Sequence, residues 1–142
     1  MRFVLFIALS LPFASIAMET PVGSLGNAKG IFNALLDSGA EMKSSPAGND
    51  TIDLIRAVNL VCSFESAPDL DARCTFFTMD SRGNPLKGIA SSEDSWYIGF
   101  ALISAGARKV HVSDTLSEVR LKSLVCNLRN HKSDSDCRFM QE

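Results

Sequence analysis

"NDTIDLIRAVNLVCSF", Asn49 to Phe64, is matched without a gap by "SDTLSEVRLKSLVCNL", Ser113 to Leu128. Setting Cys62 on Cys126 puts Asp50 on Asp114, Thr51 on Thr115, Arg56 on Arg120, Leu60 on Leu124 and Val61 on Val125. The match extends in both directions. Upstream, "IFNALLDSGA" (Ile31 to Ala40) falls on "IGFALISAGA" (Ile98 to Ala107), and downstream "CTFF" from Cys74 falls on "CRFM" from Cys137. Shared order, similar spacing and equivalent cysteines are the mark of an internal duplication. The expected repeats cover 26–78 and 91–142, joined by a connector at 79–90.

Each repeat reads as a helix followed by three strands. In the first, Asn27 is expected to cap a helix whose apolar residues Ile31, Phe32, Ala34, Leu35 and Leu36 share one face, with Gly39 as its stop. In the second, Ser91 and Asp94 form a capping box, and Trp96, Phe100 and Ile103 widen the face made by Ile98, Ala101 and Leu102 before Gly106. The period then changes from 3.6 to 2. "KVHVS" (Lys109 to Ser113) and its weaker counterpart "EMKSS" read as short strands ahead of the long ones.

Along the long strands Ile55, Ala57 and Val61 align with Val119, Leu121 and Val125, so that parity is expected to face the core. Arg56 and Arg120 mark the outward parity. "CTFFTM" and "CRFM" supply the last strands, and "DSRGNPLKGIASS" reads as a hairpin turn with a short strand. One αβββ unit is too small to cover a sheet face alone. The expected fold class is therefore α+β: two tandem αβββ repeats with pseudo-twofold symmetry, their helices packed on a mainly antiparallel sheet, in a single domain over 18–142.

"MRFVLFIALSLPFASIA" has the basic start, short apolar core and small-residue end of a signal peptide, predicted over 1–17. Export places Cys62, Cys74, Cys126 and Cys137 in an oxidising compartment, periplasmic or extracellular, where an even count reads as disulfides. Four cysteines allow three pairings. Duplication copies a bridge with its unit, which favours Cys62 to Cys74 and Cys126 to Cys137 over a bridge between units. Past residue 17 there is no long apolar run, so no stable membrane insertion is expected. The net charge of −2 comes without a basic stripe, which argues against nucleic acid.

Catalytic motifs are missing from the sequence: no G-x-S-x-G, Walker loop, G-x-G-x-x-G, H-E-x-x-H or C-x-x-C occurs. His111 lies mid-strand among valines and is expected to face solvent. His131 sits in "HKSDSD" beside Asp134 and Asp136, which reads as a solvated loop before it reads as a metal site. No cofactor or metal is expected, and no catalytic residue is assigned. Asn49 opens an N-glycosylation sequon in a turn.

The two long strands differ on the outward parity. The first carries Ile52, Leu54, Val58 and Leu60, where the second carries Leu116, Glu118, Lys122 and Leu124. With helices on the other face, Ile52, Leu54, Val58 and Leu60 form a candidate binding patch, since contiguous exposed apolar surface marks contact sites. The segment Thr20 to Leu25, or the connector strand, is the alternative occupant.

The expected function is a small exported, disulfide-bonded binding protein, an inhibitor or interaction module acting through a sheet face or the cysteine loops on another protein or on itself. The layout resembles, as fold-level analogy alone and without a shared motif, bacterial secreted enzyme inhibitors built from tandem αβ repeats with one bridge each. The rival readings are a small hydrolase or toxin using Asp69, Asp71, Asp134 and Asp136, and a self-associating envelope component.

Overall fold

A computed structural model describes residues 19–66, 70–129 and 134–141; the predicted signal peptide, Asp69 and His131 lie outside the described residues. In chain order the elements are β1 (Thr20–Pro21), α1 (Leu25–Asp37), β2 (Met42–Ala47), β3 (Asp50–Glu65), β4 (Ala72–Met79), β5 (Pro85–Ile89), α2 (Ser92–Ser104), β6 (Val110–His111), β7 (Leu116–Arg129) and β8 (Asp134–Gln141). The class is α+β, with two helices on an eight-stranded antiparallel sheet among the described residues.

β3 and β7 form the spine. They pair antiparallel in unbroken register from Ile52 opposite Arg129 to Glu65 opposite Leu116. The sheet reads β1-β8-β7-β3-β4-β5, with β2 added to the start of β3 and β6 to the start of β7. Both helices lie on one face and touch each other: α1 covers β8 and β7, while α2 covers β4 and β3. Each helix therefore sits over the hairpin that the other one's sequence unit supplies.

Both hairpins carry a disulfide across directly opposed residues, Cys62 to Cys74 and Cys126 to Cys137. This is the pairing within units that the spacing predicts. All four half-cystines are fully buried against the helices. The sulfur of Cys74 lies 3.5 Å from the Ser95 carbonyl oxygen, and that of Cys137 lies 3.4 Å from the carbonyl oxygen of Ala28.

The helix ends follow local chemistry, with one correction. Ser91 caps α2 by accepting from the Asp94 N–H at 3.1 Å, as the sequence predicts. The α1 cap is Ser24, not Asn27: the Asn27 N–H donates to the Ser24 hydroxyl at 3.0 Å, so Asn27 already lies inside the first turn. Gly39 and Gly106, with φ of 93° and 101°, leave the helices in the left-handed region that a side chain disfavours.

The alternation along the spine changes phase partway. On β3, Asp53, Ile55 and Ala57 face the helices, and then Leu60, Cys62 and Phe64 do. Asn59 lies at the change, with φ of 51°, and the register against β4 slips between Val58 and Val61. β7 does the same: Val119 and Leu121 are buried, then Leu124 and Cys126, with a slip against β8 between Leu121 and Ser123. A bulge inserts one residue and turns the following side chains to the other face. The two bulges lie side by side, so the β3–β7 ladder keeps its register.

This phase change corrects the sequence reading at four positions. Leu60 and Leu124, expected on the outward face, are fully buried under the helices. Val61 and Val125, expected in the core, are only partly buried and point to the other side. The core instead takes Leu60 and Leu124 together with Phe32, Phe76, Phe139, Ile31, Leu35 and Ile98.

Candidate functional site

No described element lies over the sheet face opposite the helices. β1 pairs with the β8 edge and β5 with the β4 edge, so neither the Thr20 to Leu25 segment nor the connector strand covers it. Ladder pairing sets out its rows. Phe77, Val58 and Ser123 stand side by side across β4, β3 and β7; Thr75, Val61 and Arg120 form the next row. On the other side of Val58 come Arg56, Val125 and Arg138, then Lys43, Leu54, Asn127 and Asp136.

The centre of this face is apolar and half-buried: Ile52, Leu54, Val58, Val61, Phe77 and Val125. Three of the four residues singled out in the sequence, Ile52, Leu54 and Val58, lie here together; Leu60 does not. Beside Leu54 a hollow of about 280 Å³ is lined by Glu41, Lys43, Arg56 and Met79. Sequence reasoning missed Val61, Phe77 and Val125. The signal available was Asn59, because asparagine is enriched several-fold among non-glycine residues at positive φ, a geometry that here accompanies a bulge.

Cations frame the apolar centre. Arg120 pairs with Glu118 at 2.7 Å, Arg138 with Asp136 at 3.1 Å, and Arg129 reaches Asp50 at 3.9 Å. Among the described residues no carboxylate lies within ion-pair distance of Arg56, Arg73, Lys43 or Lys87. A chain of net charge −2 thus gathers unpaired positive charge on one sheet face.

Asp53, Asp71, Asp134 and Asp136 are dispersed over the sheet and do not form one site. Asp71 accepts from its neighbour Ala72 N–H at 2.9 Å and from the Ser92 hydroxyl at 2.8 Å, tying the β4 entry to α2. Asp53, buried, accepts from the Ser44 hydroxyl at 2.5 Å. Asp134 and Asp136 lie on β8, with β7 and β3 between them and the β4 entry that holds Asp71. Among the described residues no group of three or more His, Cys, Asp or Glu side chains converges as a metal site. His111 is exposed, with Nδ1 3.1 Å from the Ser117 hydroxyl. Asn49 lies exposed in the turn between β2 and β3.

Comparison of the chain with known protein families, curated proteins and solved structures gives no match.

Proposed function

We propose that this chain is a small exported binding protein, an inhibitor or interaction module, that holds an acidic partner protein on its open sheet face. The observation that carries this is the uncovered apolar row of Leu54, Val58, Val61 and Phe77 beside the unpaired Arg56 and Arg73. Arginine and aromatic residues around an apolar centre are the composition of protein contact surfaces. The two buried disulfides fit life in an oxidising compartment.

The same face argues for a different chain as partner rather than a second copy. A twofold contact would set Arg56 and Arg73 among copies of themselves, and like charges facing each other oppose association. Self-association through Leu54 and Val58 is thereby the weaker reading. Hydrolysis through the loop carboxylates is weaker still, since Asp71 is engaged by Ala72 and Ser92 at the β4 entry and Asp136 by Arg138 on β8.

The scaffold is, in this reading, a duplicated αβββ unit with a pseudo-twofold axis between β3 and β7. Its supports are the mirrored order β4-β3-β7-β8, the disulfide at the same ladder position in each hairpin, and the contacts of Cys74 with Ser95 and Cys137 with Ala28, which fall on aligned positions. Duplication leaves one continuous sheet face twice the width of either unit.

The test is affinity capture from the native exported fraction on immobilised protein. A partner held by this face is retained at low salt and released as salt rises towards about 1 M, where the screening length falls to roughly 3 Å. Retention independent of salt, or a solution mass of a dimer for the isolated protein, contradicts the reading.

A further inference from the structure

On the helix side of the sheet, where β3 ends and β7 begins, a cleft of about 360 Å³ opens between α2 and the residues around β6. Phe64 lies beneath it. Trp96 and Phe100, one turn apart on α2, stack with ring centroids 5.3 Å apart, and Trp96 lies 5.4 Å from Phe64. Gly99 lets this happen, because a Cβ there would overlap the Phe64 ring. Phe100 is 57% exposed, an aromatic side chain left to water beside a cavity.

The architecture does not require these rings. In the alignment of the two helices Lys29 and Asn33 occupy the positions of Trp96 and Phe100, and Leu128 occupies that of Phe64. α1 packs on the sheet without them. The aromatic cluster is thus an addition to one side of the molecule, in which Trp96 packs against the core and Phe100 is left exposed.

The chemistry at the mouth narrows the ligand. Glu65 and Asp114 border the cleft, and neither forms an ion pair among the described residues. Among the described residues, the basic side chains lining the cleft beside these two carboxylates are Lys109 and His111. Aromatic faces are negative and attract cations, tryptophan most strongly. The volume is near the bottom of the roughly 300–1,000 Å³ range of ligand sites, enough for one ring and a charged head.

We propose that this cleft binds a small apolar organic cation, a hydrophobic amine or quaternary ammonium compound. Its apolar body lies on Phe64 and Phe100, and its charge lies between the Trp96 face and the carboxylates of Glu65 and Asp114. The site is on the opposite side of the sheet from the partner surface proposed above, and it stands or falls independently of that surface.

Trp96 is the only tryptophan in the chain, so its emission reports on the cleft directly. The purified protein is titrated with phenethylammonium, with 2-phenylethanol as the neutral isostere and with phenylpropionate as the anion. The expected result is a saturable emission change with phenethylammonium binding roughly five- to tenfold tighter than the alcohol. The E65Q/D114N double variant is expected to erase that preference while the alcohol still binds, and F100A to weaken both ligands about tenfold. Circular dichroism checks that these surface variants remain folded. No saturable change, equal or tighter binding of the alcohol or the anion, or a preference that survives E65Q/D114N overturns the proposal. So does a response confined to basic peptides.

Discussion

The Cys74 N–H donates to the Ser95 hydroxyl at 2.8 Å, beneath helix α2 and beside the first disulfide. Both residues are fully buried. The bond ties a strand of the first hairpin to a helix that arrives 21 residues later in the chain. The sheet and the helix layer are joined here by a polar bond as well as by apolar packing. Removing the hydroxyl leaves a buried N–H without its partner, which costs about 1–3 kcal/mol. S95A is expected to lose that amount in urea denaturation with an unchanged m-value. Ala28, the aligned residue on α1, is already apolar, so A28G should show no comparable loss of a polar bond: its cost is the helix-propensity difference of about 1 kcal/mol.

Leu60 and Leu54 test the phase change on β3. Leu60 is fully buried among the helices and Leu54 is half-buried on the open face. L60A is expected to destabilise by about 2–5 kcal/mol, through lost burial and the cavity left behind. L54K should stay within about 1 kcal/mol of the parent, since a lysine there reaches water along the sheet surface. Thermal or urea unfolding of the two variants decides it. Equal losses would mean that the strand keeps one phase throughout.

That contrast shows where the sequence was and was not legible. The alternation of Ile55 and Ala57, the cysteine spacing, the Ser91 cap and the glycine stops are local patterns, and local geometry enforces them. The spacing of the cysteines points to the bridge pairing because two opposed residues on a hairpin meet at one register only. Leu60, Leu124, Val61 and Val125 depart from the expected faces because each long strand carries a bulge, and strict alternation has no term for the extra residue. The apolar surface of Trp96, Phe100 and Ile103 was visible as an unusually wide face. That it would border a cleft depended on β6 and the chain around Asp114, which share no periodic pattern with α2.

The two disulfides should contribute alike. Each closes a short loop, with sequence separations of 12 and 11. The chain-entropy estimate for such loops is about 3 kcal/mol apiece. C62A/C74A and C126A/C137A are each expected to lose that much, and non-reducing peptide mapping of the parent should recover only these two bridges. A large difference between the pairs would show that one hairpin carries the fold.

Gly99 and Phe64 are expected to be coupled. A methyl group at Gly99 meets the Phe64 ring, which must shift to admit it. Overpacking of this kind costs about 1–3 kcal/mol. G99A should therefore destabilise the parent by that amount and cost little in an F64A background, where the space is open. A double-mutant cycle measured by chemical denaturation gives the coupling directly. Additive losses would contradict the close approach.

The proposed function requires that an acidic partner protein bind on the open sheet face. It is tested most directly by parallel capture of the partner on the parent protein, on the R56E/V58K variant and on F100A, with partner recovery quantified by mass spectrometry. R56E/V58K is expected to lose the partner recovered by the parent while F100A retains it, all three proteins unfolding at similar temperatures. A partner that survives R56E/V58K, or that F100A loses instead, would contradict it.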